Sequence, residues 1–421
     1  MKKWLKKTAA AGLAALLLAS LAGCGNDAKK AEEGKAAGYP VTWTETLDGK
    51  EVTASVEKAP SRAISMSQAT TEMMLALGLE DKMVGTAMKE EDIYPPLQAS
   101  YDKVKVLAEK WPSYETFMAE KPDFATGWEV PFTKRGIPAD SITAQGVPIY
   151  VPSSMQKLDA DLDTVFDDMM KLGAIFGVEP KAQEWVDGQK KILAGVQEKI
   201  KDLPKKRVFI YDASDGKPFT AYKGYTTNIL KLIGAENVMA DAGVDKTWAA
   251  TTWESVVAAD PEYIIIADYS NGIRNDDDFQ KKVAAIKENP QLANVKAVKE
   301  NHFLKVKLSE ITPGVRTVEA LKRLAEEITV LVHGRENYES AVAASGILFG
   351  QGTKEQLQSL DEALDGIDTS GAGEEVQFVE ILLGLLFVLS FGDEPYEDGF
   401  LGLGFSDDKL SHNLDKNTIK W

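Results

Sequence analysis

Residues 180–204 read PKAQEWVDGQKKILAGVQEKIKDLP, and they predict a single long helix that separates two stretches of α/β sequence. Pro180 suits the first turn of a helix, where its missing N–H leaves no hydrogen bond unmade, and Pro204 ends the helix. At a rise of about 1.5 Å per residue the helix is roughly 35 Å long. One side of it carries an apolar stripe, spaced by seven, four and four residues: Trp185, Ile192, Val196 and Ile200.

Before this helix, short apolar strands alternate with loops and helices. Strands are predicted over residues 63–66, 123–126 and 149–151, and a helix over residues 70–77 is expected to end at Gly78. An earlier β-hairpin is predicted, because apolar residues alternate on both sides of an Asp-Gly turn: Val41, Trp43, Asp48-Gly49, Val52 and Val56.

After the long helix the same alternation resumes. Strands are predicted over residues 208–211, 263–267 and 303–306, with helices over residues 227–233 and 317–332. Such alternation is typical of α/β folds with mostly parallel sheets, so we predict two α/β lobes joined by a long helix. The expected divisions are a signal peptide (1–23), a flexible tether (24–40), an N-terminal lobe (41–157), a helical connector with a first helix ended by Gly177 (158–204), a C-terminal lobe (205–333) and an acidic extension of unknown role (334–421).

The first 24 residues have the pattern of an export signal. Four lysines among the first seven residues precede an apolar run over residues 9–22, and Cys24 follows directly. A run of about 14 residues is too short to span a bilayer, which needs roughly 20. The segment resembles the lipobox of bacterial lipoproteins, which implies that Cys24 becomes the first mature residue and carries lipid. The alternative is a plain signal peptide with an incidental cysteine. We expect an extracytoplasmic protein that is lipid-anchored to the membrane.

Charge and composition argue against several classes of function. The formal net charge of −17 does not suit nucleic acid as a partner. Cys24 is the only cysteine, so folding must rest on a packed core rather than on disulfides. No G-x-S-x-G, P-loop or H-E-x-x-H pattern occurs, so no enzyme and no catalytic residue is predicted. None of the three histidines (His302, His333, His412) has a second at ligand spacing, so no bare-metal site is predicted either.

A short pattern occurs once on each side of the long helix. The first copy is WPSYE at 111–115 and the second is TTWE at 251–254, and in both a glutamate precedes a proline by seven residues. In each copy a Ser or Thr precedes a short predicted helix, the glutamate lies in its early turn, and the proline ends it before a strand. Two ordinary capped helices would also explain the pattern, because acidic residues are favoured at helix N-termini.

Further segments carry a resemblance to a known family: APSRAIS at 59–65, TEM at 71–73 with Leu77-Gly78 after it, KPD at 121–123, GAENV at 234–238 and ITPGVR at 311–316. Together, residues 60–328 resemble the solute-binding proteins of ABC importers for iron-siderophores, haem and cobalamin. The resemblance implies two lobes joined by a rigid helix, a ligand between the lobes, and a monomer that serves an ABC permease and its ATPase. It also implies that Glu115 and Glu254, one on each lobe, dock onto permease arginines, since an exposed carboxylate accepts a bidentate arginine.

Aromatic residues in predicted loops are candidates for the wall of this cleft, because flat rings suit a large, partly apolar chelate. Each could instead belong to the core. Arg316, Lys89 and Arg135 could supply positive charge to an anionic siderophore, or could be solvated surface groups. The aromatic candidates are Trp111, Trp128, Tyr222, Tyr225, Trp248 and Tyr269, with Trp111 and Trp248 favoured for their loop-like surroundings.

We therefore expect a substrate-binding lipoprotein that captures a ferric siderophore and delivers it to an ABC permease, with no cofactor of its own. Within this class, a haem or cobalamin receptor is the alternative. An enzyme of metal-chelate chemistry and a surface lipoprotein without a transport role remain as other classes. In the extension, residues 381–391 (ILLGLLFVLSF) are too few to span a bilayer. They fit a buried segment, a partner-binding segment or a stretch without selected function.

Overall fold

The computed structural model describes residues 38–201, 203–214, 217–270 and 278–333. The predicted signal peptide, Cys24, most of the tether and the acidic extension lie outside the described residues. Within the described part, no helix is both long enough and apolar enough to cross a membrane.

The predicted β-hairpin is confirmed as the first described element. Its strands β1 (Val41–Leu47) and β2 (Lys50–Val56) pair antiparallel along their whole length. The turn residues Asp48 and Gly49 both have positive φ, 49° and 75°, as the two-residue turn of a twisted hairpin requires.

The sheet of the N-terminal lobe has five parallel strands: β3 (Ala63–Ser65), β4 (Met83–Ala87), β5 (Val106–Ala108), β6 (Phe124–Thr126) and β7 (Ile149–Tyr150). They lie in the order β5-β4-β3-β6-β7. β3 and β6 are buried at every residue, as expected for a parallel sheet covered on both faces. The helices of this lobe are α1 (Gln68–Ala76), α2 (Gln98–Tyr101), α3 (Tyr114–Ala119) and α4 (Ala139–Thr143).

Two helices that pack against each other form the connector, α5 (Leu162–Phe176) and α6 (Glu179–Ile200). A capping box between Asp161 and Thr164 begins α5. Gly177 ends it with a φ of 66°, a conformation that glycine adopts without strain. The predicted end of the first helix at Gly177 and the long second helix are both confirmed.

The sheet of the C-terminal lobe is mixed and has six strands: β8 (Lys206–Ser214), β9 (Lys217–Ala221), β10 (Ala235–Asn237), β11 (Trp248–Ala250), β12 (Tyr263–Asp268) and β13 (Phe303–Lys307). The order is β11-β9-β8-β12-β13, and β10 also pairs with β8. β8, β10, β12 and β13 are joined by parallel pairings, whereas β9 pairs antiparallel with both β8 and β11.

The antiparallel edge corrects one prediction, that Trp248 lies in a loop. Trp248 is the first residue of β11 and pairs with Ala221 of β9. The segment Trp248-Ala249-Ala250 is too short, and too poor in branched residues, to be read as a strand from its sequence. The segment is a strand because it pairs with β9.

Helices on both faces complete this lobe: α7 (Tyr225–Lys231), α8 (Trp253–Ala259), α9 (Asp278–Glu288), α10 (Lys296–Lys299), α11 (Leu308–Ile311) and α12 (Thr317–His333). Short 3₁₀ turns occur at Glu80–Lys82, Pro95–Leu97, Val130–Phe132, Ser153–Met155 and Pro290–Leu292. The predicted α/β fold with two lobes and mostly parallel sheets is confirmed.

One hydrophobic cluster runs through both lobes, and two smaller clusters lie on the other faces of the two sheets. The large cluster joins α1 and β6 of the first lobe to the connector and to β8, β12 and α12 of the second. Within the described residues the chain passes between the sheets once, through the connector. Representative members are Leu77, Leu172, Val196, Ile265 and Leu321.

Candidate functional site

A cleft with an open volume of ≈ 600 Å³ is bounded by segments of both lobes. The segments that follow β6 and β12 contribute Trp128 and Tyr269, so the cleft lies at the carboxyl edges of both sheets. This edge is where α/β folds usually bind ligands. The residues that line it are Gln68, Ala69, Glu72, Glu90, Glu91, Trp128, Tyr269, Leu308, Ser309, Thr312, Gly314 and Val315.

Trp128 brings an aromatic ring to the cleft. Its indole Nε1 is buried, and no described residue accepts a hydrogen bond from it. Gly127 allows the backbone to pass close to the core here, because a Cβ at this position would lie 3.0 Å from Cβ of Met66. A buried donor without a protein partner is costly unless a ligand or water satisfies it.

Tyr269 supplies the aromatic ring on the C-terminal side. Its hydroxyl donates to Oδ2 of Asp212 at 2.9 Å, and Nζ of Lys282 lies 4.7 Å from the ring centroid. Both contacts come from the interior of the lobe, which holds the orientation of the ring at the cleft wall.

A buried ion pair crosses between the lobes behind the cleft. Arg316, which precedes α12, donates from Nε to Oε2 of Glu72 in α1 at 2.8 Å, and from Nη2 to Oε1 of the same carboxylate. It also donates from Nη1 to Oε1 of Glu91 at 3.2 Å. The guanidinium expected to attract an anionic siderophore is therefore already paired with two carboxylates. Lys89 and Arg135 are exposed and do not line the cleft.

Gln68, a buried residue in the first turn of α1, holds the loop that carries the cleft carboxylates. Its Oε1 accepts hydrogen bonds from the backbone N–H groups of Glu90 and Glu91, at 2.7 and 2.9 Å. Its Nε2 donates to Oε1 of Glu72 at 3.1 Å. Sequence reasoning missed this group, although a Gln and a Glu four residues apart lie on the same face of a helix and are a usable signal.

The two loop carboxylates differ in their partners. Burial raises the pKa of Glu91, although the Ser309 hydroxyl donates to its Oε1 and Arg316 lies beside it. Burial, together with the neighbouring Glu91, also raises the pKa of Glu90. No described residue donates a hydrogen bond to the Glu90 carboxylate, so it is open to the cleft.

A second charged network lies beneath Tyr269. Asp268 is fully buried and accepts from Nζ of Lys307 at 2.8 Å and from the Ser270 hydroxyl at 2.5 Å. Although burial works in the opposite direction, these hydrogen bonds, with Lys305 at 3.1 Å, hold the pKa of Asp268 well below its usual range. The network keeps the end of β12 and the start of the Tyr269 segment in place.

The other predicted aromatic residues lie away from the cleft lining. Trp111 is half-buried and packs on the second face of the N-terminal sheet. Trp248 stacks on Phe219 with ring centroids 6.1 Å apart. Tyr222 and Tyr225 are core residues, 3% and 4% exposed, because each follows a buried strand or begins a buried helix. Of the predicted set, the structure brings Trp128 and Tyr269 together, with Arg316 behind them.

The two repeated glutamates occupy equivalent positions. Glu115 is the second residue of α3 and Glu254 the second residue of α8, and both are exposed. The caps also match, since Ser113 and Thr252 each accept from the backbone N–H three residues on, at 3.2 Å. A hydrogen bond from its own backbone N–H, and then one from the capping hydroxyl, lowers the pKa of each glutamate.

The equivalence extends to the strands that follow. Shortly after α3 and α8 end, Lys121 and Asp260 both have positive φ (49° and 39°) and directly precede Pro122 and Pro261. Each helix connects parallel strands and so runs antiparallel to them. Both N-termini, with their glutamates, therefore lie at the carboxyl edges of the sheets, the same edge as the cleft.

Comparison with known proteins shows the following similarities. The model of the family described as periplasmic binding protein matches residues 64–307. A crystal structure of a periplasmic binding protein from Veillonella parvula is 68% identical, with a TM-score of 0.68, and covers 69% of this chain and 98% of that one. The substrate-binding lipoprotein YvrC of Bacillus subtilis, from an uncharacterized ABC transporter, is 29% identical over 75% of this chain and 95% of its own length. The vitamin B12-binding protein of Yersinia pestis is 26% identical over 52% of this chain and 73% of its own length.

Proposed function

The chain belongs to the periplasmic binding protein family, and from this membership we propose that it captures a ferric siderophore and delivers it to an ABC permease. It is a substrate-binding protein of the ABC-importer type, like its relatives. Members of this family bind solutes and are not enzymes. The expected role of the cleft is therefore to bind a solute and release it unchanged.

The observation that carries the proposal is the cleft itself. It is lined by both lobes and presents Trp128 and Tyr269 at the carboxyl edges of the two sheets. Two aromatic faces suit a large chelate with a partly apolar surface.

Intrinsic tryptophan fluorescence tests this proposal directly. The full chain, purified in detergent, is titrated with a panel of ferric siderophores, haem and cobalamin. We expect saturable quenching by a siderophore, and a loss of affinity of about tenfold or more in Trp128→Ala, because the aromatic face on the N-terminal wall is removed. Trp248→Ala is the matched control, since that ring stacks on Phe219 away from the cleft lining. No binding by any siderophore, with circular dichroism showing a folded chain, would refute the assignment.

Cobalamin is the second candidate ligand, and a specific similarity favours it. The vitamin B12-binding protein of Yersinia pestis is 26% identical to the chain. Binding of cobalamin alone in the same titration would replace the siderophore, and haem is tested by the same panel. The surface-lipoprotein alternative is tested by deletion of residues 334–421, which should leave ligand binding intact if the protein is a receptor.

We also propose that Glu115 and Glu254 dock the lobes onto arginines of the permease. The support is their matching position at the start of α3 and α8, their exposure, and the lowered pKa that keeps both carboxylates ionised. Two charges on opposite lobes can fix the orientation of a partner as well as attract it.

Stimulation of the transporter's ATPase in proteoliposomes measures this docking. Glu115→Gln combined with Glu254→Gln should reduce stimulation by about tenfold or more while ligand affinity stays unchanged. Glu184→Gln, an exposed glutamate of α6, is the control. Unchanged stimulation in the double variant would contradict the docking role.

Lipid attachment at Cys24 is the last part of the proposal. The support is the lipobox resemblance and the relative YvrC, which is named a lipoprotein. Cys24→Ser should release the chain from the membrane fraction and abolish labelling with radioactive palmitate. Retention in the membrane would instead indicate that another segment anchors the chain.

A further inference from the structure

The charges around the cleft carry information about the ligand that its shape does not. Three carboxylates line the described part of the cleft, those of Glu72, Glu90 and Glu91, and no lysine or arginine lines it. We refer to these three as the cleft carboxylates. The net charge of these three carboxylates, together with the charges behind them, decides which chelates can approach.

Arg316 offsets only part of this charge. Its guanidinium makes both of its carboxylate contacts with the cleft carboxylates Glu72 and Glu91, and its Nη2 also donates to the backbone oxygen of Asp92 at 2.7 Å. One guanidinium among three carboxylates leaves an excess of negative charge when all are ionised. Glu310, the next acid on this side, pairs with Arg323 at 2.8 Å.

The charged network beneath Tyr269 does not make the net charge around the cleft positive. Its described ion pairs join three acids to three lysines: Asp212, Asp268, Asp278, Lys282, Lys305 and Lys307. Lys307 is the lysine of this network whose charge acts to lower the pKa of Glu91. Its Nζ already pairs with Oδ2 of Asp268 at 2.8 Å. Among the described residues that line the cleft, therefore, no lysine or arginine is left over for an anionic ligand, and exposed Lys89, next to Glu90, lies outside this lining.

Glu90 is the group most able to act on a ligand. Its carboxylate is half-buried, accepts no hydrogen bond from a described residue, and lies next to the like charge of Glu91. Both conditions penalise its ionised form, and a positive charge or an O–H or N–H donor on the ligand would relieve that penalty.

Resting on the receptor function proposed above, we propose that the cleft selects chelates with no net negative charge. A ferric trihydroxamate fits, because three singly charged hydroxamates neutralise Fe³⁺ and leave amide and amine donors outside the metal. A tris-catecholate or a polycarboxylate chelate carries net negative charge, and haem carries two propionates, so these ligands would face the cleft carboxylates without a counter-charge. Glu90 is the specificity-determining residue in this scheme.

A series of ligands that differ only in charge tests the inference. A linear ferric trihydroxamate with a free terminal amine is a cation, its acetylated form is neutral, and its succinylated form is an anion. Isothermal titration calorimetry with the full chain in detergent should give at least about tenfold tighter binding of the cation than of the anion. Added salt should reduce the difference between the affinities for the cation and the anion, because it screens exposed charges.

Glu90→Gln should reduce the cation-to-anion affinity ratio by about tenfold while keeping the neutral form within a few-fold. Glu109→Gln, an exposed glutamate outside the cleft lining, should leave the ratio unchanged. Equal affinity for the three forms, tighter binding of the anion, or an unchanged ratio in Glu90→Gln would overturn the charge rule but leave the receptor function standing.

Other outcomes separate the two proposals. Binding of neutral cyanocobalamin, with no binding of haem or of any siderophore, would support the charge rule and overturn the siderophore assignment. If no chelate, haem or cobalamin binds the folded chain, both proposals fail together.

Discussion

At the residue scale, Glu45 of β1 has an unusual carboxylate. It accepts hydrogen bonds from the backbone N–H of Val151 at 2.6 Å and from the indole of Trp43 at 3.1 Å. Burial nevertheless raises the pKa of Glu45 to about 7, and the nearby acids Asp168 and Glu129 contribute in the same direction. Ionisation of Glu45 therefore opposes folding at neutral pH.

This gives a pH-dependent stability with a definite sign. The folded protein holds the Glu45 proton more tightly than the unfolded chain does. Protonated Glu45 therefore contributes its full stabilisation below about pH 4.5, and this contribution is lost as the pH rises to about 7. Glu45→Gln should raise the free energy of unfolding by about 2 kcal/mol at pH 8 and by almost nothing near pH 4.5. Urea titrations at both pH values measure this, with exposed Glu51→Gln on β2 as the control. A gain that is the same at both pH values would contradict the assignment.

Arg316 supports a second prediction at this scale. Arg316→Met leaves the carboxylates of Glu72 and Glu91 buried without their counter-charge, so the free energy of unfolding should fall by about 3–5 kcal/mol. Adding Glu72→Gln to the same chain should recover part of that loss, because one of the two charges is gone. Denaturant unfolding of both variants provides the measurement. An equal loss in the single and double variants would show that packing, and not charge, is responsible.

At the element scale, the connector depends on a close approach of its two helices. A Cβ at Gly173 of α5 would lie only 2.6 Å from Cβ of Ala182 in α6, a distance that side chains do not tolerate. A Cβ at Gly188, on the exposed side of α6, would instead point into open space, with no neighbouring atom within 4 Å. The two glycines thus have opposite roles within one helix pair.

Gly173→Ala should destabilise the protein by about 1–3 kcal/mol, because α5 and α6 must move apart. Gly188→Ala should stabilise it by about 0.5–1 kcal/mol through the higher helix propensity of alanine. Thermal unfolding followed by circular dichroism at 222 nm compares the two with the parent chain. Stabilisation by both substitutions would mean that the helices do not pack as closely as described.

At the scale of the whole molecule, the lobes share one hydrophobic cluster through the connector, and the described chain crosses between the sheets once. Opening the cleft widely would expose part of this cluster to water, at a cost proportional to the apolar area. The Arg316–Glu72 pair adds a polar link between the lobes. Ligand binding should therefore change the arrangement of the lobes only slightly.

Distances between spin labels test this rigidity. In a Cys24→Ser background, labels at exposed Ser141 of α4 and Lys299 of α10 report the separation of the lobes. We expect saturating ligand to change that distance by less than about 3 Å, far less than a hinge closure would. A pair within one lobe, Lys82 and Ser141, is the control. A large change confined to the pair that spans the lobes would contradict the rigid connector.

Local signals were sufficient for much of the fold. Asp48-Gly49 predicts its hairpin because a two-residue turn needs positive φ at both positions. Gly177 and Pro180 predict the break between α5 and α6 for similar steric reasons. The repeated capped helices with Glu115 and Glu254 are also evident in the sequence, since the cap and the glutamate lie within one turn.

The sequence by itself therefore determined the alternation of strands and helices, the two lobes and the long connector, because turns, caps and apolar periodicity act between near neighbours in the chain. Only the tertiary structure decided which tryptophan faces the cleft, since Trp128 and Trp248 are both half-buried and differ in the residues around them. It also decided that Arg316 is neutralised by Glu72, 244 positions away. Contacts at such separation depend on how the lobes pack, and no local pattern encodes them.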